Sequence, residues 1–199
     1  MLRVAQDGWL AQARALPSPH CNARPVGETI SLLVIHNISL PPGQFGGGFV
    51  QQLFAGELDP HCHPYFASIS SIRVSAHFLI ERDGSLFQFV SCLDRAWHAG
   101  ASRFGGRPEC NDYSIGVELE GTDTEPYTPA QYAALIELTR ALQAAYPAIT
   151  PYRITGHEFI APGRKTDPGS AFDWRGYLRA LTGHLDTPHF APTTQRSPA

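Results

Sequence analysis

Apolar positions in this chain follow distinct rhythms. Ser31-Leu32-Leu33-Val34-Ile35-His36 runs through aliphatic and β-branched residues without alternation, the pattern of a strand buried on both faces of a central sheet. Tyr113 to Glu120 alternates instead, with Ile115, Val117 and Leu119 facing one way and Gly116, Glu118 and Glu120 the other. Val74–Glu81 and Ser85–Val90 predict two strands joined across Arg82-Asp83-Gly84, since Asp-Gly favours a hairpin. A helical period follows Thr128-Pro129-Ala130-Gln131, which has the form of a capping box with proline at the first helical position. Tyr132, Leu135, Ile136, Thr139 and Leu142 make its apolar stripe, and Pro147 stops the chain beyond its end. Asp173 predicts the cap of a last helix, Trp174 to Leu181, with Gly183 just past it. At the other end, Gly8 to Leu16 predicts a short helix carrying Trp9, Leu10, Ala13 and Leu16 on one face, ended by Pro17 and Pro19.

Between these elements, residues 37–72 lack clear periodicity apart from a short helix predicted around Phe49 to Phe54. A long segment of this kind in a compact domain reads as a lid or binding loop. Its Gly46-Gly47-Gly48 is not a phosphate loop, because no Gly-Lys-Ser/Thr follows. His61 and His63 in the same region read as a surface pair ahead of a metal site. The stretch 186–199, rich in Pro, Thr and Ser, reads as a disordered tail. Residues 1–185 then form one domain, as expected for 199 residues.

Composition narrows the class. With 43% hydrophobic and 17% charged residues the chain can bury a core without disulfide staples. A net charge of −3 and the absence of a Lys/Arg block argue against nucleic acid or an anionic membrane as partner. Cys21, Cys62, Cys92 and Cys110 form no C-x-x-C, so they read as reduced, buried thiols of a cytosolic protein. The first residues do not build an apolar signal core, and no apolar run approaches the ~20 residues of a membrane span. These features predict a soluble cytoplasmic domain.

Chemistry-bearing residues collect at strand ends. His36 closes the first buried strand, and ligand sites in open α/β sheets lie at the carboxyl ends of strands. Ile154-Thr155-Gly156-His157 predicts a short strand running out into a loop stiffened by Pro162 and Pro168, which carries Lys165 and Asp167. If Lys165-Thr166-Asp167 is extended, those two side chains share one side. Glutamate is depleted in strands. An exposed edge accounts for Glu120, whereas Glu118, deeper in the strand, points to function. His77 is either a supporting group for the site or a hydrogen-bonded core histidine. Ala96-Trp97-His98-Ala99-Gly100 suits a pocket wall for sugar or peptide. Two histidines and a carboxylate are a recognised catalytic zinc set, three protein ligands with one position left open. Spacing alone does not establish such a site here, because His36 is remote from the rest. No G-x-S-x-G or H-E-x-x-H is present.

Several stretches together carry a family resemblance: His36–Phe45, Ser75–Phe78, Arg95–Gly100, Asn111–Asp123 and Arg164–Gly169. In these the chain resembles the AmpD-type anhydro-N-acetylmuramyl-L-alanine amidases, bacterial cytoplasmic zinc enzymes of cell-wall recycling. The likeness runs from the first strand to the last helix. It implies an α/β single domain, a mixed central sheet flanked by helices, related to phage amidases and peptidoglycan-recognition domains. It places zinc ligands on His36, His157 and Asp167, the catalytic glutamate on Glu118 and the catalytic lysine on Lys165. Asn37 and Trp97 fall near the family's substrate groove. Where relatives carry a basic residue before Cys-Asn-Asp, this chain has Glu109, and Arg107 is the candidate to supply that charge.

The resemblance further implies a monomer that takes anhydromuramyl-peptides, cleaves the lactyl–L-alanine amide and thereby affects β-lactamase induction. A non-catalytic peptidoglycan-binding module and an exported amidase acting on polymeric peptidoglycan remain the alternatives.

Overall fold

The structure, a computed structural model, describes residues 1–183; the segment read as a tail, 186–199, lies outside the described residues. In chain order the elements are β1 (Arg14–Ala15), β2 (Cys21–Ala23), β3 (Leu32–Ile38), α1 (Phe49–Ala55), α2 (Pro64–Ile69), β4 (Phe78–Ile80) and β5 (Leu86–Gln88). They continue with β6 (Asp94–Ala96), β7 (Arg103–Phe104), β8 (Arg107–Pro108), β9 (Ser114–Glu120), α3 (Pro129–Ala145), β10 (Ile154–Gly156), α4 (His157–Ile160) and α5 (Trp174–Thr182).

The six-stranded sheet runs β1-β5-β4-β9-β3-β10. Only the β4–β5 hairpin is antiparallel, so the sheet is mixed, as expected. The pairs β2–β6 and β7–β8 stand apart. Burial of β3 on both faces follows from its unbroken apolar run: Leu33 and Ile35 join the cluster under α3 and α5, while Leu32 and Val34 pack against Tyr113, Cys110 and Ile160. Strand β9 alternates as read, with Ile115, Val117 and Leu119 on the α3 side. On the opposite face α1 and α2 bring Val50, Phe54 and Phe66 onto Leu79 and Phe89.

Helix α3 opens with the anticipated capping box: Thr128 Oγ1 accepts from the Gln131 amide at 3.1 Å, and Gln131 Oε1 accepts from the Thr128 amide at 3.0 Å. The Gln131 amide group also donates to the Ile80 and Glu120 carbonyls, which locks the helix start to the ends of β4 and β9. The Asp173 cap and Gly183 terminus of α5 hold as well.

Several expectations change. No helix forms over residues 8–16. Gly8 turns the chain at φ 81°, and Gln88 of β5 binds both the Leu10 amide and the Gly8 carbonyl. The segment therefore pairs with the sheet edge through β1 instead of satisfying its own backbone groups. Within 37–72, α1 appears where expected, but α2 does not show as a periodic pattern. Its signal is the start, His63 accepting from the Tyr65 amide with Pro64 in the first turn. Glu120 is buried rather than edge-exposed, because β9 is central; its carboxylate accepts from the Gly46 amide at 2.5 Å and the Arg82 amide at 3.3 Å. Beyond β10 the chain enters one turn of helix, α4, before the loop. All four cysteines are free thiols, of which Cys62 is exposed and Cys21 half-buried.

Candidate metal centre and active site

Strand register sets the site. Across the parallel β3–β9 ladder His36 pairs with Glu118, and across β3–β10 Ile35 pairs with Gly156. The residues that follow that second pair are His36 and His157. His157, His36 and Glu118 thus form a row over adjacent strands toward the carboxyl edge of the sheet, where open α/β folds place ligands. Asp167 comes from the loop after α4, its carbonyl accepting from the Glu158 amide at 2.9 Å. Gly156 lets that loop close: a Cβ there would lie 2.8 Å from Pro168 Cδ and 3.1 Å from the Trp174 ring.

The row and the loop bring three donor atoms together. His36 Nδ1, His157 Nδ1 and Asp167 Oδ2 are mutually 3.0 Å apart. Among the described residues this is the one group of donors convergent enough to hold a metal ion. Zinc–nitrogen bonds of ~2.0–2.1 Å in a tetrahedral site separate neighbouring donors by roughly 3.3 Å, so the set fits such an ion with little adjustment. Tautomers agree. His157 Nε2 lies 3.1 Å from the Ala99 carbonyl, which can only accept, so a proton on Nε2 is satisfied there and leaves Nδ1 free to hold an ion.

Electrostatics point the same way. Burial lowers His36 to about 4, so it is neutral at pH 7. Burial pushes Asp167 up, but hydrogen bonds from the His157 and His36 imidazoles outweigh it and hold the carboxyl well below its usual range, protons here taking the place a cation would fill. Glu118 is raised well above an ordinary glutamate, first by burial and then by Asp167, with Lys165 opposing. A divalent cation in the triad acts in the same sense as Lys165. The Glu118 Oε2 atom is buried with no hydrogen-bond partner, an orphan that a substrate or water in the site can satisfy.

Glu118, His157, Lys165, Asp167, Asn37 and Trp97 line one cavity of about 200 Å³. It adjoins a polar groove of about 570 Å³ that shares Asn37, Lys165 and Asp167 and adds Asp123 and Arg164. A larger groove of about 810 Å³, between residues 1–4 and α3, holds none of the triad. Lys165 and Asp167 do face a common space. The Asn37 amide donates to Asp123 Oδ1 at 2.9 Å and to the Pro168 carbonyl at 3.1 Å, leaving only its oxygen for a ligand. The Trp97 indole donates to Asn22 at 2.6 Å and stacks on His20. Arg107 sits on the β7–β8 hairpin, paired with Glu28 and lying 4.1 Å over Tyr113, and lines neither site cavity. His61 is exposed and His63 caps α2. His77 is a core histidine, its Nδ1 accepting from the Gly116 amide at 3.0 Å.

The stretch read as a pocket wall does line the site cavity, and its His98 goes further than that reading: its Nδ1 lies 2.9 Å from His36 Nε2. Its available signal is its place in a Trp-His-Ala-Gly stretch beside the site.

Two imidazoles and a carboxylate beside a buried glutamate, at the carboxyl ends of sheet strands, make the arrangement of a metal-dependent hydrolase. The chain belongs to the Amidase_2 family of N-acetylmuramoyl-L-alanine amidases, whose family model matches residues 26–170. It is 59% identical over 185 residues to the 1,6-anhydro-N-acetylmuramyl-L-alanine amidase AmpD of Salmonella typhimurium strain SL1344, covering 92% of this chain and 98% of that one. The enzyme of the same name from Escherichia coli K12 is 59% identical over 171 residues, 86% of this chain and 93% of that one. The crystal structure of a Se-Met AmpD derivative superposes with a TM-score of 0.86 at 58% identity, covering 91% and 99% of the two chains.

Proposed function

We propose that this chain is a zinc-dependent amidase that cleaves the lactyl–L-alanine amide of 1,6-anhydro-N-acetylmuramyl-peptides. The observation that carries this reading is the triangle of donor atoms, 3.0 Å on each side, with the Glu118 carboxylate in the adjoining cavity. The printed names of relatives near 59% identity supply the substrate class. His36, His157 and Asp167 would hold the zinc. When bound, it supplies Lewis acidity, acidifying a water towards pKa ~7 and polarising a carbonyl.

The chain's own groups do the rest. Glu118 takes the proton of the attacking water and returns it to the departing alanine amine; its buried Oε2 has no other hydrogen-bond partner and is open to that water. Lys165 enters no ion pair among the described residues, so its ammonium is available to the oxyanion of the tetrahedral intermediate. Charge appears there only as the amide carbonyl is attacked, so this contact favours the transition state over the substrate. Asn37 offers its carbonyl oxygen to a peptide N–H, and Trp97 offers an aromatic face to the sugar. Arg107 is the candidate for the stem-peptide carboxylates, reached by exchanging Glu28 for the ligand.

We further assign the enzyme to cytoplasmic peptidoglycan recycling, acting as a monomer, with an indirect effect on β-lactamase induction. In support, no helix among the described residues is long and apolar enough to cross a membrane.

The test compares anhydromuramyl-tripeptide with intact murein sacculi, with and without chelator, alongside metal analysis of the purified protein. Release of free tripeptide that chelator abolishes and zinc restores is expected. Binding without turnover favours a peptidoglycan-binding module, and efficient cleavage of sacculi favours an exported amidase.

A further inference from the structure

We propose that His98 is the positioning residue of the metal centre: it accepts the Nε2 proton of His36, holding that imidazole with a bare Nδ1 toward the ion. The contact is short, 2.9 Å between His98 Nδ1 and His36 Nε2, and the rings meet edge to face at 85°. His157 has an outer partner of its own in the Ala99 carbonyl, which accepts a proton carried on Nε2. His36 has no carbonyl on its outer nitrogen. Its tautomer therefore depends on which nitrogen of His98 carries the proton. With the proton on His98 Nε2, directed at Ser114 Oγ 3.1 Å away, His98 Nδ1 is an acceptor and His36 is oriented for metal. With the proton on His98 Nδ1, His36 Nε2 must accept, and a proton then occupies the nitrogen that faces the metal site.

The surroundings are built to hold this ring. Gly116, on the same face of β9 as Glu118, leaves the space it fills; a Cβ there would sit 2.5 Å from His98 Cγ. Asn111 Oδ1 accepts from the backbone amides of both His98 and Ala99, at 3.2 and 2.8 Å. One two-residue segment, pinned by Asn111, thus serves both imidazole ligands: the His98 ring for His36 and the Ala99 carbonyl for His157.

This inference rests on the metal reading of the triad, and the experiment separates the two. Zinc affinity is measured by chelator competition for the wild type, His98→Ala and His98→Asn, with metal-free thermal unfolding as the check on folding. If the wild type holds no zinc, the metal reading fails. If it does, His98→Ala is expected to bind zinc about 10–100-fold more weakly, the usual scale for losing an outer partner of a metal-bound imidazole. His98→Asn places an acceptor oxygen near the lost Nδ1 and restores most of that affinity. Alanine binding within twofold of wild type, or equal weakening in both variants, overturns the proposal. Imidazole nitrogen NMR of the zinc-loaded wild type gives a readout free of any substitution. It should show the proton on His98 Nε2 and on His36 Nε2, and a proton on His98 Nδ1 overturns the assignment.

Discussion

His36 and Glu118 are register partners across two central parallel strands. The proposed metal donor and the proposed proton acceptor are therefore held at one level of the sheet by backbone hydrogen bonds rather than by loop packing. His157 lies on the other neighbour of β3, one residue past the Gly156 that pairs with Ile35. Asp167 and Lys165 join this row from the loop after α4, whose backbone is tied back by the Glu158 and Lys165 amides. Catalytic groups held on regular elements keep their geometry through turnover, which is what a proton shuttle over one water's reach requires.

Replacing Glu118 by Gln should leave the metal set intact and remove the shuttle. Turnover of anhydromuramyl-tripeptide is expected to fall by ~10²–10⁴, with zinc stoichiometry unchanged. Activity close to wild type in the zinc-loaded variant would show that another group moves the proton.

The same substitution should stabilise the metal-free protein, more so as pH rises. Glu118 is raised in the folded state by burial and by Asp167. Below the unfolded value both states hold its proton and the group is neutral to stability. Above it the unfolded chain releases a proton that the folded chain keeps, so wild-type stability declines with pH until the folded value is passed. Glutamine has no such proton. Thermal unfolding of metal-free wild type and Glu118→Gln at pH 5, 6.5 and 8 should diverge in the variant's favour, and parallel curves would count against a buried, raised carboxyl.

Lys165→Met should act on kcat more than on KM. Loss of one donor to a developing oxyanion costs about 10²–10³ in rate, while Lys165 has no ion pair in the described structure whose loss would unfold the loop. Steady-state kinetics on the tripeptide substrate separate the outcomes. A purely KM effect would assign the lysine to substrate binding instead.

Glu120→Ala should behave as a structural change despite its place two residues from Glu118. Its buried carboxylate satisfies the Gly46 and Arg82 amides, and stranding them costs roughly 1–3 kcal/mol. The midpoint of thermal unfolding is expected to drop by several degrees, about 2–4 °C per kcal/mol for a chain of this size. Zinc content should not change, and its loss would place Glu120 in the metal site.

Local patterns carried much of the fold. The apolar run before His36, the alternation around Glu118 and the Thr128–Gln131 box formed as read, and the Asp-Gly hairpin formed with shorter strands, Phe78–Ile80 and Leu86–Gln88. In each, burial period and turn chemistry favour the same element. The failures share a cause in distant partners. Gln88 claims the backbone groups of Gly8 and Leu10 and removes a helix that their sequence favours. Glu120 lies inside because β3 and β4 flank its strand, and no local pattern states how many neighbours a strand will have.

The sequence by itself determined which residue types were available and roughly where: His36 and Glu118 on strands, His157 one residue past a strand, Lys165 and Asp167 in a proline-stiffened loop. Only the tertiary structure decided that they meet. Strand order places β10 and β9 on either side of β3, and a glycine at position 156 lets the Asp167 loop close onto that edge. It also brought His98, Ser114 and Asn111 together behind the His36 and His157 imidazoles. Periodicity reports which way a side chain faces along one element, whereas a coordination site is a statement about atoms brought within 3.0 Å from positions 121 residues apart.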